Sequence, residues 1–303
     1  MEKVRMKILL NDGLSAEGTK MLRDAGFEVD DKNIPQDQLA ARLGEFDAIT
    51  VRSATKVRKE HIDGGLPRLK CIVRGGVGVD NIDVAHAESK GVKVFNTPAA
   101  SSASVAELAL AHMFAVSRFI VPSNLTMRAG EWNKKKYKGV ELTGKTLGIL
   151  GIGRIGKELA IRGLALGMKV IAYDPYVKSI DINVKLVSKD EVLKQSDYIS
   201  LHIPSDPSGF VISTSEFDKM KNGSYLINCA RGGTVDEKAI LAALDSGKLA
   251  GAGIDVFIGE PEPMKELINH PKVSVTPHIG ASTNEAQFRI GLEVAQILID
   301  FFK

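Results

Sequence analysis

The stretch TGKTLGILGIGRIGKELAIRGLALGMKVIAYDP, Thr143 to Pro175, decides the fold. It opens on the short apolar run Leu147-Gly148-Ile149-Leu150, which reads as a buried strand. Gly151, Gly153 and Gly156 follow in G-x-G-x-x-G spacing. A helical segment from about Arg154 to Leu166 comes next, then a second strand, Lys169 to Tyr173, ending on Asp174. Alone, the three glycines would be ordinary turn residues. Set between a strand and a helix, with an acid at the end of the next strand, they form a unit that holds a dinucleotide. Gly151 permits the tight turn, Gly153 lets the backbone approach a pyrophosphate, and Gly156 lets the helix pack on the strand. The helix N-terminus offers amides and a partial positive charge to the phosphates. Asp174 can accept hydrogen bonds from a ribose diol and would repel a 2′-phosphate, so NAD is expected rather than NADP.

The rest of the chain sets bounds. Its 303 residues suggest two domains, and 44% hydrophobic with 25% charged residues is an ordinary globular balance. A net charge of +3 gives no case for nucleic acid and suits small anionic ligands. The two cysteines, Cys71 and Cys229, lack metal-ligand spacing and make no disulfide framework; no metal is expected, and the cytoplasm is the expected compartment. MEKVRMKILL lacks the long apolar core of a signal peptide. The apolar run Ala106 to Val116 is too short to span a membrane and contains Glu107 and His112.

Strands and helices alternate on both sides of the glycine stretch. Strands are expected at 4–10, 27–29, 46–52, 69–73 and 92–95, with helices at 15–25 and 35–43. A glycine loop, Gly75 to Gly78, reads as close backbone approach to a ligand. A long helix is expected over 102–120, with Ser104 and Glu107 at capping-box spacing and Pro122 ending it. Arg128 to Gly139 reads as a basic loop, and its Trp132, the only tryptophan, as an interface anchor. Further strands are expected at 198–203, 224–228, 251–257 and 273–276, with a helix at 236–245. The last helix is expected near Ser282, with Glu285 in its cap and a core face of Phe288, Leu292, Ala295, Ile299 and Phe302. The expected fold class is α/β: a Rossmann-type doubly wound parallel sheet with a second, smaller flavodoxin-like βα domain.

Three ionisable residues sit just past expected strand ends: Arg231, Glu260 and His278. In an open α/β sheet those ends line the ligand crevice, so all three would face the nicotinamide end of a bound dinucleotide. Each alone has a structural reading, as a loop brace, an exposed acid or a packed histidine. Together they suit hydride transfer from a secondary alcohol. Histidine can exchange the hydroxyl proton near neutral pH. A carboxylate on its other nitrogen, Glu260, would fix the tautomer, and the planar fork of Arg231 would hold a substrate carboxylate. Asp255 lies near the same edge, toward the nicotinamide side.

These residues, in the strings NCARGG, GIDVFIGEP and TPHIGAST, resemble the D-isomer-specific 2-hydroxyacid dehydrogenase family, and the resemblance covers nearly the whole chain. VRSATKV, GVGVDNID, NTPAASSASVAE and HIGAST resemble the members that oxidise 3-phosphoglycerate with NAD. The resemblance implies a substrate-binding domain of residues 1–96 plus 283–303 and a NAD-binding domain of 97–282. It implies catalysis by Arg231, Glu260 and His278. It places Val77, Arg154, Ile155, Asp174, His202, Ile203, Pro204, Cys229, Ala230, Arg231, Asp255, His278, Gly280 and Ala281 around NAD, beside Gly151, Gly153 and Gly156. Arg52, Ser53, Arg74, Gly75, Gly76 and Lys134 would contact the substrate, Lys134 from a neighbouring subunit, with Trp132 at a homodimer interface. Ser101 departs from the asparagine of many members, and with the chain ending at Lys303, feedback through a C-terminal serine-binding domain is not expected. The same fold and residues would serve glyoxylate, hydroxypyruvate or D-lactate. The fold would also serve a NAD-sensing corepressor-like binding protein.

Overall fold

The computed structural model describes residues 5–206 and 208–303. The chain divides into two compact units, one of residues up to Ser101 together with Ala281–Lys303, the other Ser102–Gly280. The joins stand a few residues from 96/97 and 282/283, because the chain stays tied to the first unit beyond Asn96. Thr97 N–H donates to Gly76 O at 3.1 Å, and Arg289 Nε donates to Ala100 O at 2.8 Å.

The first unit runs β1 (Lys7–Leu10), α1 (Ala16–Asp24), β2 (Glu28–Asp30), α2 (Gln36–Arg42), β3 (Ala48–Val51), α3 (Lys59–Gly65), β4 (Cys71–Arg74), α4 (Val84–Ser89) and β5 (Lys93–Asn96). Residue 4, expected to open the first strand, lies outside the described residues. The strands pair in parallel in the order β2-β1-β3-β4-β5. That is the flavodoxin-type order. Its strands read as near-continuous apolar runs because both faces of the sheet are covered. Alternate residues serve opposite faces: Leu9, Ile49 and Ile72 pack in one cluster, and Ile8, Leu10, Cys71 and Val73 in another.

The second unit runs α5 (Ser102–Ser117), α6 (Ile120–Arg128), β6 (Thr146–Leu150), α7 (Arg154–Ala165), β7 (Lys169–Tyr173), β8 (Lys185–Leu186), α8 (Lys189–Gln195), β9 (Tyr198–Leu201), α9 (Thr214–Lys219), β10 (Ser224–Asn228), α10 (Glu237–Asp245), β11 (Leu249–Ile254), α11 (Lys265–Ile268) and β12 (Val273–Val275). Its seven-stranded sheet has the order β12-β11-β10-β9-β6-β7-β8, with parallel pairing throughout. The chain leaves β6 toward β7 on one side and returns through β9 on the other. The switch point, and so the ligand crevice of a doubly wound sheet, falls at the carboxyl ends of β6 and β9.

Three local expectations are corrected. Pro122 does not end a helix. α5 stops at Ser117, Phe119 turns left-handed at φ 54, and Pro122 sits in the first turn of α6. There its missing N–H needs no partner. The expected box at Ser104 and Glu107 does not form, because the helix has already begun at Ser102. The Ser104 hydroxyl donates to Gly280 O, and Glu107 pairs with Arg162 at 3.0 Å.

The last helix, α12 (Asn284–Phe302), is capped by Thr283, which accepts from Ala286 N–H at 3.1 Å, rather than by Ser282. Its buried face is Ala286, Ile290, Gly291, Val294, Ala295 and Leu298. Phe288 is 44% exposed. The small residues decide this. α1 approaches so closely that a Cβ on Gly18 would stand 2.5 Å from Gly291 O.

Candidate active site

At the end of β6 the chain turns through Gly151, whose φ is +93. A side chain there would meet His202 O at 2.5 Å, and one on Gly156, in the first turn of α7, would meet Gly151 O at 2.1 Å. At Gly153 a Cβ would meet nothing within 4 Å. Gly153 is also the N-cap of α7 and has no side chain to offer the amides of Arg154 and Ile155. The two tight positions fold the turn, and the open one leaves the helix dipole accessible to a pyrophosphate.

Asp174, just past β7, is held by its own loop. Oδ2 accepts Ile152 N–H at 3.1 Å, and Oδ1 accepts the amides of Tyr176 and Val177 at 2.9 and 3.3 Å. Beside it, Ile152, Lys157, Val177, Ser179, Ile180 and Asp181 line a hollow of about 460 Å³. Past β9, Ile203 packs on Gly151 and precedes Pro204. His202 Nε2 lies 2.9 Å from Ser200 Oγ, and its buried Nδ1 has no hydrogen-bond partner among the described residues. Burial pushes this imidazole down to about 4, so the ring is neutral at physiological pH. An orphaned polar atom next to a glycine turn with an open N-cap fits a dinucleotide laid across these strand ends.

Past β10 the chain forms a tight turn. Asn228 Nδ2 donates to Arg231 O at 3.2 Å and Thr234 Oγ1 at 3.1 Å, while its Oδ1 accepts Ala230 N–H at 3.1 Å. These bonds fix the backbone that carries Arg231. Cys229 is buried, and burial, then the nearby charge of Asp255, push its thiol well above the usual range. It is a packed thiol, unsuited to nucleophilic work.

Past β11 and β12 lie Glu260 and His278. His278 Nδ1 stands 2.8 Å from Glu260 Oε2, and Glu260 Oε1 accepts Phe257 N–H at 2.8 Å. Burial would raise the Glu260 carboxyl. The hydrogen bonds from His278 and the Phe257 amide, with the charges of His278 and Arg231, outweigh it and hold Glu260 below the ordinary carboxylate range. An ionised Glu260 can only accept, so Nδ1 carries the ring proton of the neutral imidazole and Nε2 is left as a base. Glu237, which no motif in the sequence marks, opens α10 and accepts Ile258 N–H at 2.7 Å. Burial raises it, against that amide's pull, and the charges of Asp236 and Glu260 add to the rise. Asp255, 1% exposed, accepts Thr276 Oγ–H at 2.5 Å, Ile279 N–H at 2.9 Å and Gly280 N–H at 2.9 Å.

In the first unit, Arg52, Ser53, Arg74, Gly75, Gly76 and Val77 gather at the carboxyl ends of β3 and β4, where Val51 pairs in register with Arg74. The Arg74 guanidinium folds against Gly76, and Asn96 Nδ2 donates to Val77 O. Ser101 is buried, and Ala281 O accepts from Gln287 Nε2 at 2.6 Å. Lys134 and Trp132 lie in the second unit, exposed, near a short 3-10 turn at Lys134–Lys136.

A dinucleotide on the sheet, and beside it an imidazole able to exchange a proton with a hydroxyl, is the working face of a nicotinamide-dependent dehydrogenase. Residues 110–280 match the family model described as D-isomer specific 2-hydroxyacid dehydrogenase, NAD binding domain, and the chain belongs to that family. It is 46% identical over 297 residues to a hydroxypyruvate reductase of Thermotoga maritima, covering 96% of this chain and 97% of that protein. It is 43% identical over 302 residues to a D-3-phosphoglycerate dehydrogenase of Pongo abelii, covering 98% of this chain and 56% of that protein. Among solved structures, a glyoxylate reductase from Paecilomyes thermophila is 34% identical with a TM-score of 0.88, covering 98% of this chain and 95% of that one. The second unit is thus a NAD-binding domain of this family.

Proposed function

We propose that the chain oxidises 3-phosphoglycerate to 3-phosphohydroxypyruvate with NAD, the first step of serine synthesis, in the cytoplasm. The observation that carries the dehydrogenase reading is the 2.8 Å pairing of His278 Nδ1 with Glu260. His278 Nε2 takes the C2 hydroxyl proton as the hydride leaves C2. Glu260 stabilises the imidazolium that forms. The fork of Arg231 holds the substrate carboxylate and polarises the developing carbonyl oxygen. Bound NAD, held by the Gly151–Gly156 turn and Asp174, supplies the hydride acceptor.

The phosphate reading rests on Arg52 and Arg74, which stand at the carboxyl ends of the adjacent strands β3 and β4, and on likeness to the Pongo abelii D-3-phosphoglycerate dehydrogenase, matched over 56% of its length. Lys134 would add a third cation across a homodimer interface centred on Trp132, which is 79% exposed. A Trp132→Asp variant that stays dimeric in sedimentation would remove that interface.

A second reading, reduction of hydroxypyruvate, is favoured by one observation: the 46% identical hydroxypyruvate reductase is matched over 97% of its length. It differs by the phosphate alone. Steady-state kinetics with 3-phosphohydroxypyruvate and hydroxypyruvate decide between them. The lead reading expects the phosphorylated substrate to have the higher kcat/KM, and Arg52→Ala to raise its KM roughly tenfold or more, the loss of a charge-assisted contact. Equal or better use of hydroxypyruvate replaces it with the second reading. A NAD-sensing binding protein would give no NADH absorbance with any 2-hydroxy acid.

A further inference from the structure

Beneath the loop that carries His278 lies a second histidine that takes no part in the proton transfer. His112, in α5, is 2% exposed, and both of its ring nitrogens are engaged. Nδ1 lies 2.9 Å from Ser274 Oγ on β12, and Nε2 lies 3.0 Å from Thr276 Oγ1. Thr276 donates its hydroxyl proton to Asp255, and Asp255 accepts the amides of Ile279 and Gly280. From the same helix as His112, Ser104 Oγ donates to Gly280 O at 2.6 Å. The loop is therefore gripped on both sides of His278, whose own backbone is left-handed at φ 53.

Counting protons fixes the tautomer. Thr276 has one hydroxyl proton, and it points to Asp255. Its oxygen must then accept from His112, so His112 carries its proton on Nε2. Nδ1 is left to accept from Ser274 Oγ–H. A ring with one proton is neutral, and burial, outweighing the charge of Asp255, lowers this imidazole in the same sense.

We propose that His112 is a positioning residue: through Thr276 and Asp255 it holds the Ile279-Gly280 amides and so sets the angle at which His278 meets the substrate hydroxyl. This rests on His278 being the proton-transfer group. A neutral donor suits the task, because it orders Thr276 without adding a charge that would compete for Asp255. The chain Ser274–His112–Thr276–Asp255 would thus be a rigid brace under a strained loop.

The test compares His112→Phe, His112→Gln and Thr276→Val in the full chain. Glutamine can place an amide N–H where His112 Nε2 stands, and phenylalanine cannot. His112→Phe and Thr276→Val should each lower kcat by roughly ten- to a hundredfold, the scale of a small misplacement of a reacting group. NADH affinity should hold within about twofold, and His112→Gln should restore most of kcat. The double variant should be no slower than Thr276→Val alone, because both break one chain. Amide hydrogen exchange at Ile279 and Gly280 should quicken in both single variants, whatever acid the enzyme oxidises.

Unchanged exchange at those amides, or a kcat for His112→Phe within about twofold of wild type, overturns the proposal. If His112→Phe does not fold, Thr276→Val and its exchange decide alone. A His278→Gln variant with full turnover would instead remove the proton-transfer assignment, and the exchange data would still settle whether the brace exists.

Discussion

His278 and Asp255 share no side-chain hydrogen bond, yet Asp255 fixes the backbone on which His278 stands. Its carboxylate accepts the amides of the two residues that follow His278, Ile279 and Gly280, each at 2.9 Å. His278 itself adopts a left-handed backbone that non-glycine residues rarely take, with φ at 53. Such a conformation persists where neighbours over-determine it. With the backbone so held, the 2.8 Å bond of Nδ1 to Glu260 orients the ring and leaves Nε2 as the base.

Removing the imidazole should separate binding from chemistry. His278→Ala is expected to lose roughly 10²–10⁴ in kcat, the usual worth of a positioned acid–base group. NADH affinity, measured by fluorescence titration, should change little, because the glycine turn and Asp174 are remote from this loop in sequence and lie past other strands. Turnover within about tenfold of wild type would assign the proton transfer to another group.

Glu260 should show itself in the pH dependence of stability. Its folded carboxyl lies below the ordinary range, despite a burial effect that works to raise it. A depressed carboxylate contributes stability that is fully present above its unfolded pKa, about 4.3, and is lost as pH falls through the folded value. Glu260→Gln should therefore melt below wild type at neutral pH, with the gap closing as pH drops below about 4. A gap that widens on acidification would reverse the sign assigned to the His278 and Arg231 contacts.

What could be read in advance was local. The turn from Gly151 to Asp174 is legible because strand, glycines, helix and acid follow one another within one βαβ unit. His278 and Glu260 are legible because each follows a strand end, where a parallel sheet gathers its ligands. The brace was not. His112 and Thr276 are 164 positions apart, and a histidine within an apolar helix gives no sign of which strand it will meet. The face of α12 is legible in part: Ala295 is buried and Ile299 and Phe302 pack on the core, but Phe288 is exposed, because the close approach of α1 at Gly291 turns the helix face. Pro122 misled because proline both ends helices and begins them.

The second unit carries its own acid-sensitive clasp at α9. The Ser213 amide and hydroxyl both donate to Glu216 Oε2, at 3.0 and 2.8 Å, and Lys189 Nζ lies 3.5 Å from Oε1. Burial works to raise this carboxyl, but the Ser213 bonds and Lys189 bring it down from 4.5 to about 2. Its contribution is thus present above 4.5 and fades toward about 2. Glu216→Gln should cost about 1 kcal/mol at neutral pH, the scale of a helix cap, and progressively less as pH falls from 4.5 through about 2. Thermal melts of both proteins across that range check it, and parallel curves would mean that the clasp contributes no pH-linked stability.

Cofactor choice should rest on Asp174, and two variants separate its duties. The carboxylate accepts three loop amides, from Ile152, Tyr176 and Val177, and stands just past β7, where a dinucleotide fold expects its ribose acceptor. Asp174→Ala removes both the acceptor and the loop clasp, and should weaken NADH by roughly ten- to a hundredfold, the worth of charged hydrogen bonds. Asp174→Asn keeps an oxygen for the amides but drops the charge, so NADH should weaken less. In both, NADPH should gain relative to NADH, because the repulsion of a 2′-phosphate is gone. Fluorescence titrations of the two coenzymes give the ratio directly. If NADPH remains as strongly rejected by Asp174→Asn as by wild type, the discrimination lies in the shape of the loop after β7 and not in the charge at its start.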